Sequence, residues 1–244
     1  MTILAVCGLT REARIAGGFS NGRGSLRKTA APFSGDRSGV VAVAGGGDAA
    51  GLKKKLDALH GDITGVISIG LGGALSPLLN VGDVVIGERI VTADGALPCD
   101  HTWRVLLAAR IPAATQGALY GSDAVLANPA AKAALFEASG GALAVDMESQ
   151  VAARFAAERE LPLAALRVIS DDASHALPPA ALVAMTPDGS VSLGRVLWSL
   201  AKNPLQLPAL MRTGRNSSKA FKELLRCRGL LGRGLGGFLG GLDI

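Results

Sequence analysis

Aromatic side chains are scarce in this chain: six Phe, two Trp and one Tyr make up 4% of 244 residues. With an apolar fraction of 49%, mostly Ala, Leu and Val, the core is expected to be aliphatic. Charged residues are also few, at 18%, which excludes the low-hydrophobicity, high-charge composition of disordered proteins. Three cysteines, Cys7, Cys99 and Cys227, are odd in number and widely spaced. They argue against a disulfide framework or a zinc cluster and fit a reducing compartment. No run reaches the roughly 18 to 20 uncharged apolar residues of a spanning helix. The opening MTILAVCGLTREAR lacks a basic segment and carries Arg11 and Glu12, so neither a signal peptide nor an integral membrane protein is expected. The 33 glycines show no three-residue period, which excludes collagen. What remains is a cytoplasmic α/β protein.

The net charge of +5 is unevenly spread. Nine Lys/Arg lie between Arg195 and Arg233 against one acid, Glu223, while the first 194 residues hold 16 bases and 18 acids. A basic tail can serve nucleic acid or anionic lipid. Between Arg195 and Arg233 it contains a single aromatic after Trp198, Phe221, so base stacking and a nucleic-acid partner are not expected.

Through residue 187 the chain alternates short apolar runs with Ala-rich helical stretches. Strands are predicted at Thr2–Cys7, Gly39–Ala44, Gly65–Gly70, Asp83–Gly87, Gln116–Gly121, Ala142–Met147 and Pro162–Ser170, and helices at Ala49–Leu59, Pro129–Ser139 and Glu148–Glu160. Continuous apolar strands alternating with helices predict a sheet covered on both faces. From residue 188 the character changes. Val191–Ala201 and Lys219–Leu231 read as amphipathic helices, Pro204 and Pro208 as breaks between them, and the Gly229–Gly241 stretch as poorly ordered. The expected division is a catalytic domain over 1–187 and a basic C-terminal extension over 188–244.

Three polar clusters fall where apolar strands end, which is where open α/β sheets bind ligands. They are Gly8–Glu12, Ala144–Ser149 and Arg167–Asp172, with the glycine turn Ser68–Ala74 and Val81-Gly82-Asp83 between the first two. Each alone is a weak signal, since an acid at a strand–helix junction is commonly a cap. Gly70, Gly72 and Gly73 are spaced GxGG and form no dinucleotide fingerprint.

Together, over Ile3 to Ala173, the clusters resemble the purine nucleoside phosphorylase and nucleosidase superfamily. The matching positions are Glu12, Gly70–Gly73 with Val81-Gly82-Asp83, Ser122-Asp123, Asp146-Met147-Glu148, and Arg167 through Asp171. Within that superfamily the site pattern is similar to methylthioadenosine/S-adenosylhomocysteine nucleosidase, with the DMES and RVISD elements the most specific. The basic, Pro-interrupted tail looks like that of the hopanoid-associated phosphorylases, which act on adenosylhopane.

The resemblance implies a three-layer α/β/α fold with a central mixed sheet and cleavage of the N-glycosidic bond of a 5′-substituted adenosine. No metal or organic cofactor is implied, and a homodimer is expected by analogy. Such chemistry needs an acid near purine N7 and groups to hold the ribose and the attacking oxygen. By resemblance Asp171 is the acid, its pKa expected to rise through desolvation. Glu148 accepts from the ribose hydroxyls, Met147 packs on the sugar, and Glu12 with Arg167 holds and activates the nucleophile. Ser170 positions Asp171. Asp146, Gly70, Leu71, Gly72 and Ser122 complete the substrate contacts. Other readings are plain packing for Met147, an ion pair with Glu12 or Glu148 for Arg167, and a local cap for Asp172. His101 is expected near the site on a Thr92–Trp103 loop.

Leu71 stands where the nucleosidases keep a Ser, and Ser68 and Leu71 stand where the phosphorylases keep Arg and Thr. Arg11 falls at the phosphorylases' first phosphate-binding arginine, but Glu12 beside it would repel a phosphate dianion. The balance leans to hydrolysis, with phosphate as the alternative co-substrate. Rival readings are a general purine nucleoside or methylthioadenosine scavenger and a nucleoside- or lipid-binding protein without turnover. The tail adds an expected contact with an anionic membrane surface.

Overall fold

The computed structural model describes residues 2–17, 39–183, 186, 189–190, 192–232 and 234–237. Eight strands form one mixed sheet: β1 (Thr2–Cys7), β2 (Gly39–Ala44), β3 (Ile63–Ala74), β4 (Val84–Thr92), β5 (Gly95–Pro98), β6 (Thr115–Gly121), β7 (Ala144–Asp146) and β8 (Leu163–Asp171). The helices are α1 (Thr10–Ala16), α2 (Ala49–Asp57), α3 (His101–Arg110), α4 (Pro129–Ala138), α5 (Ser149–Glu158), α6 (Pro179–Leu182), α7 (Leu193–Lys202) and α8 (Leu207–Leu231).

Strands β2, β1 and β3 run parallel, and β3 continues parallel to β8. The far end of β3 pairs antiparallel with β7, β7 pairs parallel with β6, and β6 with β4. Antiparallel pairing of β4 with β8 closes β3, β8, β4, β6 and β7 into a ring, with β5 outside β4. Alternation along β1 shows how both faces are covered. Ile3, Ala5 and Cys7 join a core with residues of α3 and α8, while Leu4 and Val6 face a second core containing Leu52, Leu56 and Phe155 of α2 and α5.

The central mixed sheet is the architecture that the resemblance implies, and helices cover both its faces as the alternating pattern predicts. Details differ. The expected glycine turn at Ser68–Ala74 is strand, because β3 keeps its ladder with β8 through Gly72 and pairs with β7 at Gly73 and Ala74. Gly72 serves close approach, since a Cβ there would lie 3.1 Å from the Val145 carbonyl oxygen. The expected Thr92–Trp103 loop instead forms strand β5 and the start of α3. Pro208 does not break the tail: it sits in the first turn of α8, where its missing N–H costs nothing, and the helix runs 25 residues.

Nor is the C-terminal segment only an appendage. Phe221, Leu224, Cys227 and Leu231 of α8 are buried in the same core as Trp103 and Leu107, and Trp103 Nε1 donates to the Leu235 carbonyl at 3.1 Å. Of the Gly229–Gly241 stretch expected to be poorly ordered, Gly229–Leu231 belong to α8 and Leu235 is held by Trp103, while residues 233 and 238–241 lie outside the described residues.

Candidate active site

The ends of β1, β3, β7 and β8 meet around a cavity of about 230 Å³. Four carboxyl side chains line it: Glu12, Asp146, Glu148 and Asp171, with Met147 and Ser170 between them and Leu9, Leu71, Val125, Leu126 and Leu177 as apolar wall. Glycines make the room. A Cβ at Gly70 would come within 2.6 Å of Glu12, at Gly8 within 3.0 Å of Glu148, and at Gly73 within 2.9 Å of Asp171.

Glu12 is 3% exposed. Its Oε2 accepts from the backbone N–H of Gly8 at 2.7 Å and of Leu9 at 2.9 Å, which closes the N-terminus of α1. Capping does not account for the third bond, in which Leu71 N–H, 59 residues away, donates to Oε1 at 3.0 Å. Burial pushes the Glu12 carboxyl up, against the opposing pull of those N–H groups and Arg167.

Arg167 is 1% exposed and lies behind the cavity wall. Its Nη2 donates to Ser68 Oγ at 2.6 Å, Asp146 Oδ1 at 2.8 Å and Ser149 Oγ at 3.0 Å, and Nη1 to the Leu166 carbonyl at 2.9 Å. Its ion pair is therefore with Asp146, not with Glu12 or Glu148 as expected from sequence. Burial alone would lift the Asp146 carboxyl, but the guanidinium and Ser149 outweigh it and hold the pKa below the ordinary value. The same Asp146 oxygen accepts from Glu148 N at 2.9 Å and Ser149 N at 2.7 Å, so Asp146 caps α5.

That arrangement frees Glu148 from capping α5. Although it stands at the start of α5, its side chain makes no capping bond. It lies buried beside two other acids, and desolvation, with the Asp146 and Glu12 charges, raises its pKa to about 8. A carboxyl placed this way is ready to gain from a positive charge developing in the cavity.

Asp171 ends β8 and lines the same cavity. Ser170 Oγ donates to its Oδ1 at 2.9 Å, as the resemblance implies. Its Oδ2 meets Lys132 Nζ at 2.5 Å, so the carboxyl is not isolated in an apolar pocket as expected. Lys132 was not legible as a site residue: one lysine in the Ala-rich PAAKAALFEA of α4 reads as a solvated face. The only available signal was the absence of any other charge on the first two turns of that helix.

Some expected contacts fall elsewhere. Gly70 makes space for Glu12 rather than lining the cavity, and Ser122 Oγ closes a local turn with Ala124 N–H at 3.2 Å. Arg11 is exposed, its guanidinium 4.1 Å from the centroid of the Phe221 ring and outside the cavity lining. His101 opens α3 on the surface and is not in the lining. Asp172 is a loop cap. Its Oδ1 accepts from Ser174 N–H at 3.0 Å and faces His175 Nδ1 at 2.5 Å.

A closed mixed sheet carries this carboxyl-lined cavity at its strand ends, which defines the class as a mixed α/β protein with a site at the strand termini. Residues 54–201 match the model of the phosphorylase superfamily, and the chain belongs to that superfamily. No curated protein matches the sequence. Among solved structures, the chain is similar to 5′-methylthioadenosine/S-adenosylhomocysteine nucleosidase from S. pneumoniae, held with a transition-state inhibitor: TM-score 0.60, 19% identity, covering 93% of this chain and 99% of that one. A putative methylthioadenosine nucleosidase from Weissella paramesenteroides gives a TM-score of 0.58 at 18% identity over 91% and 97% of the two chains. Futalosine hydrolase of Helicobacter pylori gives 0.55 at 15% identity over 93% and 97%. At these identities the likeness establishes the shared fold.

Proposed function

We propose that the protein cleaves the N-glycosidic bond of a 5′-substituted adenosine, releasing adenine, with adenosylhopane as the favoured substrate and ribosylhopane as the product. The observation that carries this reading is the set of Glu12, Glu148 and Asp171 around one cavity, which neither capping nor packing explains in full. In this reading Asp171 protonates the purine as the C1′–N9 bond breaks, and the bond's electron pair passes to the base. Glu148 accepts from the ribose hydroxyls, whose protons grow more acidic as the sugar gains positive charge. Glu12, fixed by three backbone donors, receives the proton of the attacking water. Met147 packs on the sugar. A binder without turnover would have no use for all three acids.

Water is favoured over phosphate because the described residues lining the cavity include four carboxyl side chains and no Lys or Arg. Arg11, the candidate phosphate ligand, stacks on Phe221 instead.

A cavity of about 230 Å³ suits a nucleoside, below the ~300–1,000 Å³ of larger ligand pockets, so a bulky 5′ group must leave through the mouth. Val125, Leu126 and Leu177 give the cavity an apolar wall for such a group to leave along. Near it in sequence order, the tail supplies a surface for a hydrocarbon-bearing substrate's membrane. Helix α7 buries no residue, and Leu193, Leu197, Trp198 and Leu205 are 72%, 65%, 66% and 90% exposed. No acid occurs from 189 to 222, while Arg195, Lys202, Arg212 and Arg215 surround these apolar groups in sequence. Phe221 and Leu224 of the same tail belong to the core and take no part in that surface. No helix among the described residues is long and apolar enough to cross a membrane.

The test compares kcat/KM for adenosine, methylthioadenosine and a long 5′-alkyl adenosine, alongside flotation with anionic liposomes. Preference for the long chain, and flotation lost on Leu197→Glu with Trp198→Glu, is expected. Equal use of all three with no flotation would point to a soluble-nucleoside scavenger.

A further inference from the structure

Lys132 has a position that the functional reading above leaves unused. It is the one buried residue of α4 among those described, and its side chain is 0% exposed. Asn128 accepts from Ala130 N–H at 2.8 Å and Pro129 occupies the first turn, so the helix start that carries Lys132 is firmly built. The ammonium has two acceptors, Asp171 Oδ2 at 2.5 Å and the Asp172 carbonyl at 2.8 Å. A buried ammonium is costly unless paired, and an apolar residue would fill this place on an Ala-rich helix more cheaply.

The pairing also bears on the chemistry. An acid that protonates a purine must hold a proton, and among the described residues the nearest proton donor to the Asp171 carboxyl is the Lys132 ammonium, at 2.5 Å against 2.9 Å for the Ser170 hydroxyl. Ser170 occupies the other oxygen of Asp171, Gly73 has no side chain to crowd the lysine-bound Oδ2, and Asp171, not Lys132, lines the cavity, so Asp171 is the member of the pair that reaches it.

We infer that Lys132 and Asp171 act together as one acid, Lys132 being a positioning residue that also supplies, through Asp171, the proton delivered to the leaving purine. This rests on the functional reading given above. The balance is simple. At the outset the pair is an ammonium and a carboxylate. As the C1′–N9 bond breaks and its electrons move onto the base, one ammonium proton passes to Asp171 and on to the purine nitrogen. The base leaves neutral, the pair is left as amine and carboxylate, and a proton from solvent restores it after product departs.

The test uses leaving groups. Adenine needs protonation to leave, whereas 4-nitrophenolate does not, so full-length protein is assayed on a 5′-alkyl adenosine and on 4-nitrophenyl β-D-riboside. Lys132→Met and Lys132→Gln should each lower kcat for adenine release at least tenfold with KM little changed, as part of the ~10²–10⁴ that one acid contributes. On the nitrophenyl riboside the loss should shrink to a few-fold, which also shows that the variant site is folded. In an Asp171→Asn background, Lys132→Met should cost nothing further.

Equal losses on both substrates, or additive losses in the double variant, would reduce Lys132 to packing and overturn the inference while leaving the functional reading intact. Undiminished adenine release by both Lys132 variants would do the same. Absence of adenine release by the unaltered protein would instead bring down the functional reading, and this inference with it.

Discussion

Replacing Glu148 by Gln offers a test of the cavity's electrostatics that needs no substrate. The native state holds the Glu148 proton up to about pH 8, whereas the unfolded chain releases it near the ordinary 4.5. Folding therefore favours the protonated form. Its contribution is present in full below pH ~4.5 and is lost progressively as pH rises toward 8, at about 1.4 kcal/mol per pH unit. Across that window the loss is on the order of 5 kcal/mol, or roughly 10 °C in Tm for a chain of this size. Gln keeps the shape and does not titrate. Thermal melts from pH 5 to 8.5 should thus show Tm of the Glu148→Gln protein gaining on the unaltered protein as pH rises. Glu12, also raised by burial, leaves a residual slope in both curves. Parallel curves would mean that Glu148 ionises normally and would refute the reasoning.

Asp171→Asn should lower the rate of adenine release by about 10²–10⁴ in a folded protein, read by steady-state kinetics; near-normal turnover removes Asp171 from the chemistry. Glu12→Gln should slow the reaction strongly while Arg11→Ala costs little, and the opposite ranking would make Arg11 a phosphate ligand. Arg167→Met leaves Asp146 buried without its ion pair and should destabilise the protein by about 3–5 kcal/mol in denaturant titration. An unchanged midpoint would mean that the ion pair contributes nothing to the fold.

Much of the framework is readable in the sequence because buried strands announce themselves as short apolar runs. Thr2–Cys7 and Gly39–Ala44 coincide with β1 and β2 residue for residue. The glycines of β3 misled, since local propensity favours a turn while close strand contact, which only the fold shows, requires the same residue. Helix α1 was hidden because its first turn holds the residues that looked like a ligand loop. At the site, the acids stand at strand ends, where sequence can place them. Their partners come from distant segments, so neither the Arg167–Asp146 pair nor Lys132 on Asp171 follows from spacing. Likewise, the tail's apolar residues divide between core and surface only once α8 is docked on β8.

The central claim is that this cavity breaks an adenine N-glycosidic bond with water. Mass spectrometry of the products from a 5′-alkyl adenosine, with and without inorganic phosphate, tests it most directly. The account predicts adenine and the free 5′-substituted ribose at a rate indifferent to phosphate. A ribose 1-phosphate product, or a strict need for phosphate, would contradict the assignment of water, and intact nucleoside under both conditions would contradict the activity itself.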